Sequence, residues 1–330
     1  MNRRHLAGAL ALAALLAASP LASGTPAQAQ DKKPVIALIP GLTTDAFYIT
    51  MRKGAQHAAD ALGVELLFQG APEFNPTLQV PVLQAVIARQ PDAILIAPTD
   101  KQQLIAPLQQ AVDAGIKVIT VDTFIDDGKY QDGDGPGDFP LAYVASDNVL
   151  GGFMAGVALA RSIGERGKVY VSNVKPGIST TDQREEGFKL AMRQFANITV
   201  LDTQFNDNDA NKASAQVQAV FARNQDLAGV FGANLFSALG AADGVKALGK
   251  SGEIKVVAFD TPQRIVDDIK SGLIDLAIAQ HPAEIGYYGV VTAYAAITGQ
   301  SVPTTIGTGF TVMSKDNIDD PETLRFIYSE

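Results

Sequence analysis

Polar and aromatic residues recur just past the ends of the apolar segments of this chain. The series is Asp45, Phe47, Tyr48, Asp122, Arg184, Asn208, Asn234, Asp260 and Gln280. Carboxylates accept hydrogen bonds, a guanidinium donates them and amides do both, which matches hydroxyl groups that also donate and accept. Aromatic faces cover the apolar side of a ring-shaped ligand. For any single Asn or Asp, a helix cap or a turn is about as good an interpretation. As a series of mixed chemistry, these residues indicate a binding site for a neutral polyhydroxyl ligand.

Arg184 stands at the most informative point of the series. An apolar strand at Lys168–Ser172 is followed by the break Lys175-Pro176-Gly177 and then by a helix predicted over Gln183–Phe195. A turn between a strand and a helix lies at the carboxyl edge of a parallel sheet, where open α/β folds bind their ligands. The alternative is a surface arginine paired with a neighbouring carboxylate, which would contribute little.

Strands and helices must alternate along the chain to position these residues. We predict eleven strands, at Val35–Ile39, Val64–Phe68, Ala93–Ala97, Lys117–Val121, Leu141–Ala145, Lys168–Ser172, Thr199–Asp202, Gly229–Phe231, Lys255–Phe259, Leu276–Ala279 and Gly309–Val312. Amphipathic helical segments lie between them. This alternation predicts an α/β fold of doubly wound parallel sheets, and eleven strands suit two sheets of five or six.

The first 29 residues differ from the rest. A basic start at Arg3 and Arg4, an apolar stretch from Leu6 to Ala18 and Ala27-Gln28-Ala29 predict a signal peptide cleaved near Ala29.

The net charge is negative. Without Arg3 and Arg4, 24 of the 26 basic residues remain against 35 acidic ones, and this excess of negative charge argues against a nucleic-acid partner. No cysteine is present for disulfides or lipid attachment. We therefore expect a periplasmic protein that is not itself embedded in a membrane.

The segment Asp126–Asp138 is rich in Asp and Gly and predicts a loop. Alternate carboxylates at Asp132, Asp134 and Asp138 could converge on Ca²⁺. The segment lacks the distal Glu of an EF-hand loop, so a solvated acidic loop is the favoured interpretation and no metal site is assigned.

The segment Gly244–Ser251 matches the residue pattern of a P-loop but not its structural context. A P-loop follows a strand and begins a helix, because its amides and the helix dipole hold phosphate. Here the pattern ends a helix and precedes a strand, so we interpret Gly249 as a helix terminus and expect no nucleotide or other cofactor.

Residues for catalysis are scarce. After the signal peptide the chain has two histidines, His57 and His281, and no cysteine, so the common zinc sites cannot form. No Gly-x-Ser-x-Gly motif supplies a nucleophile. A pair of carboxylates for glycoside hydrolysis stays possible, because Asp residues follow several strands.

The chain resembles the periplasmic sugar-binding proteins of the ribose-binding class from about Pro34 to Val312. The resemblance is carried by Asp45-Ala-Phe-Tyr48, Ala97-Pro-Thr-Asp100, Val118-Ile-Thr-Val-Asp122, Ser146-Asp-Asn-Val-Leu-Gly-Gly152, Gln183-Arg184 with Gly187-Phe188, Asn234, Val257-Ala-Phe-Asp260 and Ile278-Ala-Gln280. It implies the periplasmic binding protein type I fold, in which two doubly wound parallel-sheet lobes are joined by a three-stranded hinge. The implied first lobe is residues 30–145 with 281–305, and the second is 146–280 with 306–330.

The resemblance also implies that the chain is not an enzyme, binds a sugar between the lobes and delivers it to an ABC permease as a monomer. By position it assigns sugar contacts to Asp45, Phe47, Tyr48, Asp122, Arg184, Asn234, Asp260 and Gln280. Two positions depart from the ribose binder: Thr123 replaces a second arginine, and Asn208 replaces a third aromatic residue. Another pentose, a hexose or a sugar alcohol therefore fits as well as ribose. A sensor feeding a chemoreceptor or a sensor kinase, and a secreted glycoside-acting hydrolase, are the alternative functions.

Overall fold

The computed structural model describes residues 33–130 and 139–329. The strands are β1 (Val35–Ile39), β2 (Glu65–Phe68), β3 (Ala93–Ile96), β4 (Lys117–Val121), β5 (Ala142–Ser146), β6 (Arg166–Asn173), β7 (Asn197–Val200), β8 (Gln204–Phe205), β9 (Leu227–Gly232), β10 (Lys255–Phe259), β11 (Leu276–Gln280), β12 (Thr305–Thr308) and β13 (Phe310–Ser314). The helices are α1 (Ala46–Leu62), α2 (Pro76–Ile87), α3 (Ile105–Asp113), α4 (Asn148–Ser162), α5 (Ser179–Met192), α6 (Ala210–Arg223), α7 (Leu235–Ala247), α8 (Gln263–Ser271), α9 (Pro282–Ile297) and α10 (Pro321–Leu324).

The strands form two sheets with the same internal order. The first runs β12-β5-β4-β3-β1-β2 and is parallel throughout. The second runs β13-β11-β10-β9-β6-β7, with β8 paired to β6 and β13 antiparallel to β11. Each sheet therefore reverses its strand order beside its first strand, and such a reversal opens a crevice at the carboxyl ends of the strands.

Helices cover both faces of each sheet. In β1, Ile36 and Leu38 belong to one apolar cluster, whereas Ala37 and Ile39 belong to the cluster on the opposite face. The second sheet shows the same alternation, since Tyr170 packs on one side of β6 and its neighbours Val169 and Val171 on the other. Strands buried on both faces explain why these segments are almost uniformly apolar.

We call the first sheet with α1, α2, α3 and α9 the first lobe, and the second sheet with α4 to α8 the second lobe. The chain passes between the lobes after β5, after β11 and between β12 and β13. Side chains on two of these crossovers meet, because Ser146 Oγ and Thr308 Oγ1 are 3.2 Å apart. The sequence predicts the third crossover near Thr305. In the structure it lies at Gly309, because Thr305–Thr308 adds a strand to the first sheet.

The doubly wound α/β fold predicted from the sequence is confirmed, and the strand count is corrected. The sheets have six and seven strands, because β8 and β12 were not predicted. Both are short, and β12 carries Gly307 in a polar setting that lacks an apolar pattern. The segment Gly244–Ser251 begins in the last turn of α7 and leads to β10, with Gly249 at φ +67°, as expected for a helix terminus.

Some sequence predictions fall outside the described residues. They are the signal peptide at residues 1–29 and the Ca²⁺ candidates Asp132, Asp134 and Asp138. None of the described helices combines the length and the apolar character needed to cross a bilayer.

Each lobe contains a pair of helices in backbone contact through glycine. A Cβ placed on Gly54 of α1 would lie 1.9 Å from the carbonyl oxygen of Ala283 in α9, and one on Gly286 would lie 2.0 Å from Met51 O. In the second lobe, Gly152 and Gly187 bring α4 and α5 equally close. A backbone atom cannot move aside as a side chain end can, so these positions admit only glycine.

We therefore expect Gly54→Ala to lower the free energy of unfolding by about 1–3 kcal/mol, the usual cost of overpacking, because α1 and α9 must separate. Gly307→Ala is the matched control, since a Cβ there would meet nothing within 4 Å. Urea unfolding of both variants measures the difference. Equal stability of Gly54→Ala and the wild type would contradict the close-contact interpretation.

Candidate ligand-binding site

A cavity of about 460 Å³, partly open to solvent, lies between the two lobes at the carboxyl ends of their strands. Both lobes contribute to its wall. The lining residues are Leu42, Asp45, Phe47, Tyr48, Phe74, Asp122, Val174, Ile178, Thr180, Thr181, Arg184, Asn208, Asn234, Asp260 and Gln280. All nine residues singled out in the sequence are among them, although they are spread from position 45 to position 280.

The aromatic part of the wall belongs to the first lobe. Phe47 and Tyr48 begin α1 and meet edge to face, with ring centroids 5.1 Å apart. Asp45 caps this helix by accepting a 2.9 Å hydrogen bond from Phe47 N–H. Phe74 joins them from the loop between β2 and α2. The helix-cap interpretation of Asp45 is therefore correct, and the same residue also faces the cavity.

Arg184 is the cation of the cavity and is only 3% exposed. Its Nε donates to Asn148 Oδ1 at 2.9 Å and its Nη1 to the carbonyl of Ala233 at 3.0 Å. The guanidinium carbon lies 3.9 Å from the centre of the Phe259 ring, a cation–π contact. The alternative of a surface pair with Glu185 or Asp182 is wrong. The protein therefore fixes two N–H donors and one face of the Arg184 guanidinium. The orientation of its third nitrogen, Nη2, is fixed with them.

Asp122 and Asp260 occupy corresponding places in the two lobes. Each follows a strand, β4 or β10, and each has a left-handed backbone, with φ of +63° and +73°. The N–H of each donates to the next strand, to Val144 O at 2.9 Å and to Ile278 O at 3.0 Å. Left-handed backbone is uncommon outside glycine, and Asp tolerates it better than most residues. The sharp turn directs both carboxyl groups into the cleft.

The two carboxylates are held by different partners. Tyr48 donates to Asp122 Oδ2 at 2.7 Å, within the first lobe. In the second lobe, Gln280 Nε2 donates to Asp260 Oδ1 at 2.8 Å. The Oε1 atom of Gln280 is buried and has no protein partner among the described residues. Gln280 thus brings an acceptor without a protein partner to the cavity wall.

Two amides complete the polar wall. Asn234 begins α7 by accepting from Ser237 N–H, and its Nδ2 donates to Asn208 Oδ1 at 2.7 Å. Asn208 has a left-handed backbone, with φ +65°. Its neighbour Asn206 does not line the cavity and bonds Ser172 and Ser237 instead.

The electrostatics of the cavity follow from burial of three carboxyl groups with one guanidinium. Burial raises the pKa of Asp45 from 3.8 to about 7, and the neighbouring Asp260 adds to this effect. Burial also raises the pKa of Asp122 to about 6, although Arg184 and the Tyr48 hydrogen bond oppose it. Burial and Asp122 raise the pKa of Tyr48 well above its usual value, so Tyr48 stays a neutral donor. Acidic groups outnumber the one guanidinium in the cavity wall, so the cavity favours a neutral ligand over an anionic one.

Sequence analysis missed several lining residues. Thr180 and Thr181 lie in the first turn of α5, which begins at Ser179 rather than at the predicted Gln183. The Oγ1 atom of Thr181 is buried without a protein partner among the described residues. Phe74 lies in the loop between β2 and α2, whose conformation no local sequence pattern predicts. Thr180 and Thr181 could have been predicted as lining residues, because they lie between the end of β6 and Arg184 in the sequence.

Other polar residues near strand ends have structural roles. Asp147 caps α4, and Asn148 supports Arg184. His281 stacks on Phe326 at 3.8 Å between ring centroids and bonds Thr311, so it does not line the cavity. His57 is exposed on α1. Across residues 33–130 and 139–329, no group of three or more His, Cys, Asp or Glu side chains is arranged to hold a metal ion.

Two α/β lobes with a polar and aromatic cleft between them are the arrangement of a periplasmic binding protein. The sequence profile of the periplasmic binding protein domain matches residues 36–301, so the chain belongs to that family. Members of this family are substrate-binding transport proteins, not enzymes. The resemblance inferred from the sequence is therefore confirmed, and with it the type I fold.

Particular relatives are sugar-binding proteins. An ABC transporter solute-binding protein of Agrobacterium vitis, solved with bound α-D-tagatopyranose, is 70% identical with a TM-score of 0.89, over 90% of this chain and 100% of that one. The ribose import binding protein of Escherichia coli K12 is 32% identical over 92% of this chain and 95% of its own length. The D-ribose/D-allose-binding protein of Pseudomonas aeruginosa is 30% identical over 90% of this chain and 92% of its own length.

The raised pKa of Asp45 gives a sign for the pH dependence of stability. Between about pH 4 and 7 the folded protein keeps a proton on Asp45 that the unfolded chain has released. The free energy of unfolding therefore falls as the pH rises, and the stability that this proton provides is lost above about pH 7.

We expect Asp45→Asn, which keeps an oxygen for Phe47 N–H, to gain stability relative to the wild type as the pH rises from 4 to 8. Urea unfolding at several pH values measures this, with exposed Asp316→Asn as the control for removing one carboxylate. A difference that is constant with pH would contradict the assignment.

Proposed function

We propose that this protein is the substrate-binding component of an ABC importer, binding a neutral monosaccharide in the cleft between its lobes and delivering it to a membrane permease. The observation that carries the proposal is a cavity with polar groups of both lobes converging on it. Two of its buried polar atoms, Thr181 Oγ1 and Gln280 Oε1, have no protein partner among the described residues. Such atoms are costly unless a ligand bonds them.

The wall chemistry favours an uncharged sugar. Phe47, Tyr48 and Phe74 offer apolar surface for the C–H face of a ring. Asp122 and Asp260 accept from hydroxyl groups, and Arg184 donates to them. A sugar phosphate or a sugar acid would bring negative charge beside three carboxyl groups, so both are disfavoured.

Within the monosaccharides, a ketohexose in its pyranose form is the first candidate, with D-tagatose as its representative. The 70% identical relative was solved with α-D-tagatopyranose. Ribose is less suited. Thr123, which stands in place of a second arginine, is buried and donates to Pro98 O at 2.7 Å, so this position offers the ligand no guanidinium.

Closure of the two lobes couples binding to delivery. The aromatic wall belongs to the first lobe and most hydrogen-bonding groups belong to the second, so a sugar satisfies both sets only when the lobes are together. A ligand that gains contacts in one state only shifts the population toward that state. The closed form would then be the one that the permease recognises. We further propose export by the predicted signal peptide, a periplasmic location and a monomeric state.

A thermal-shift screen tests the function, with calorimetry of the sugars that bind. The panel contains D-tagatose, D-fructose, L-sorbose, D-allose, D-ribose and galactitol. A sugar at one hundred times its dissociation constant adds about 2.7 kcal/mol of stability and a visible rise in Tm. We expect D-tagatose to give the largest shift and to be recovered unchanged. A panel without any shift would refute the proposed function, and turnover of a sugar would favour a hydrolase.

Arg184→Ala should weaken binding of the sugar that gives the largest shift by about one to two orders of magnitude, the effect of losing a charged hydrogen bond. Arg193→Ala is the matched control, because Arg193 follows the same helix but is exposed. Isothermal titration calorimetry at 20 °C measures both. Unchanged affinity in Arg184→Ala would remove this residue from the site.

Thr181→Val separates binding from stability. The hydroxyl has no protein partner among the described residues and valine has nearly the same shape, so we expect equal or higher stability without sugar. Affinity should fall by about three- to tenfold, since one neutral hydrogen bond to the sugar is lost. Thermal unfolding and calorimetry provide the two readings. A loss of stability with unchanged affinity would mean that Thr181 has a structural role only.

A further inference from the structure

The end of the chain returns to the cleft after α10 and inserts a tyrosine behind the cavity wall. Tyr328 is 3% exposed and belongs to the apolar cluster of the first lobe. Its ring meets Phe47 edge to face, with centroids 5.8 Å apart. Tyr328 does not itself line the cavity. Its effect on a ligand must therefore act through the residues it touches.

The hydroxyl of Tyr328 holds two cavity residues of the second lobe. It accepts a 2.9 Å hydrogen bond from Gln280 N–H and lies 3.1 Å from Asp260 Oδ1, to which it donates. The same Oδ1 also accepts from Gln280 Nε2. Oδ1 is therefore fixed by two donors, and the Gln280 side chain is fixed by donating its amide nitrogen. Its Oε1 is left without a protein partner among the described residues.

The backbone of this segment is bonded to both lobes. Tyr328 N–H donates to Thr261 O at 2.9 Å in the second lobe. The next residue, Ser329, donates its N–H to Thr50 Oγ1 at 2.7 Å in α1 of the first lobe. One short segment thus connects the two walls of the cleft.

We propose that Tyr328 is a positioning residue for sugar binding. It sets the orientation of Asp260 and Gln280 and, through its ring contact with Phe47 and the bond of its neighbour Ser329 to Thr50, ties that arrangement to the first lobe. This inference rests on the proposed function, because its measurable effect is on sugar affinity. A group that positions binding residues changes affinity without touching the sugar.

Tyr328→Phe tests the proposal, because it removes the hydroxyl and keeps the ring against Phe47. The probe is D-tagatose, or the sugar that gives the largest shift in the screen, titrated by calorimetry at 20 °C. We expect the dissociation constant to rise roughly five- to tenfold, less than for the loss of a charged hydrogen bond to the sugar itself, because Tyr328 acts through Asp260 and Gln280. Tyr288→Phe is the matched control, since Tyr288 is 41% exposed.

A purely structural role is separated by the relation between affinity and stability. Leu108→Ala, a truncation of a fully buried residue of α3 that does not line the cavity, is expected to lower stability while leaving the dissociation constant unchanged at a temperature where the protein is folded. If Tyr328→Phe lowers Tm as Leu108→Ala does but binds sugar as the wild type does, the proposal is overturned.

Thr50→Val provides an independent test that leaves Tyr328 in place. It removes the acceptor of Ser329 N–H in the first lobe, so we expect the dissociation constant to rise, as in Tyr328→Phe. Wild-type affinity in this variant and in Tyr328→Phe would overturn the positioning role alone. A wild-type protein that binds no sugar would instead overturn the proposed function, and this inference with it.

Discussion

The buried guanidinium of Arg184 is the interaction on which the cleft depends. A charge that is 3% exposed is stable only when its donors are satisfied and counter-charges lie nearby. Asn148 and the carbonyl of Ala233 take two donors, Phe259 covers one face, and the carboxyl groups of the cavity provide the opposite charge. Because Asn148 begins α4 and Ala233 follows β9, fixing the arginine also fixes the relation between these elements. The second lobe therefore carries a rigid polar surface, even before any ligand is considered.

The same construction is used twice in the chain. Asp122 and Asp260 follow corresponding strands, share a left-handed backbone and donate their N–H groups to the neighbouring strand. Glycine contacts bring α1 to α9 in one lobe and α4 to α5 in the other. A left-handed aspartate costs of the order of 1–3 kcal/mol and persists only where the surroundings enforce it. Its presence at both places indicates that the direction of the carboxyl group is worth that strain.

Much of this arrangement was readable in the sequence, because two strong signals were present. Strands buried on both faces give uniformly apolar segments such as Ala93–Ile96, and the ends of parallel strands collect polar residues such as Asp122 and Gln280. Those rules placed the fold and nine cavity residues. They did not find Phe74 or Thr181, whose positions depend on how a loop folds and where a helix begins. They also missed β12 and the role of Tyr328, since hydrogen bonds between residues far apart in the chain leave no local pattern.

The division of the cleft into an aromatic wall and a polar wall has an evolutionary consequence. Stacking surfaces recognise little more than the shape of a ring, whereas the hydroxyl stereochemistry of a sugar is read by the directions of donors and acceptors. Those donors and acceptors come mainly from the half of the molecule that contains α5 and α7. If the cleft binds a sugar as proposed, substitutions confined to that half would change which epimer is preferred, while the aromatic rings of the opposite half would still cover the apolar face of the sugar. Among related proteins, the substitutions that accompany a change of sugar preference would then be concentrated in the half that contains α5 and α7.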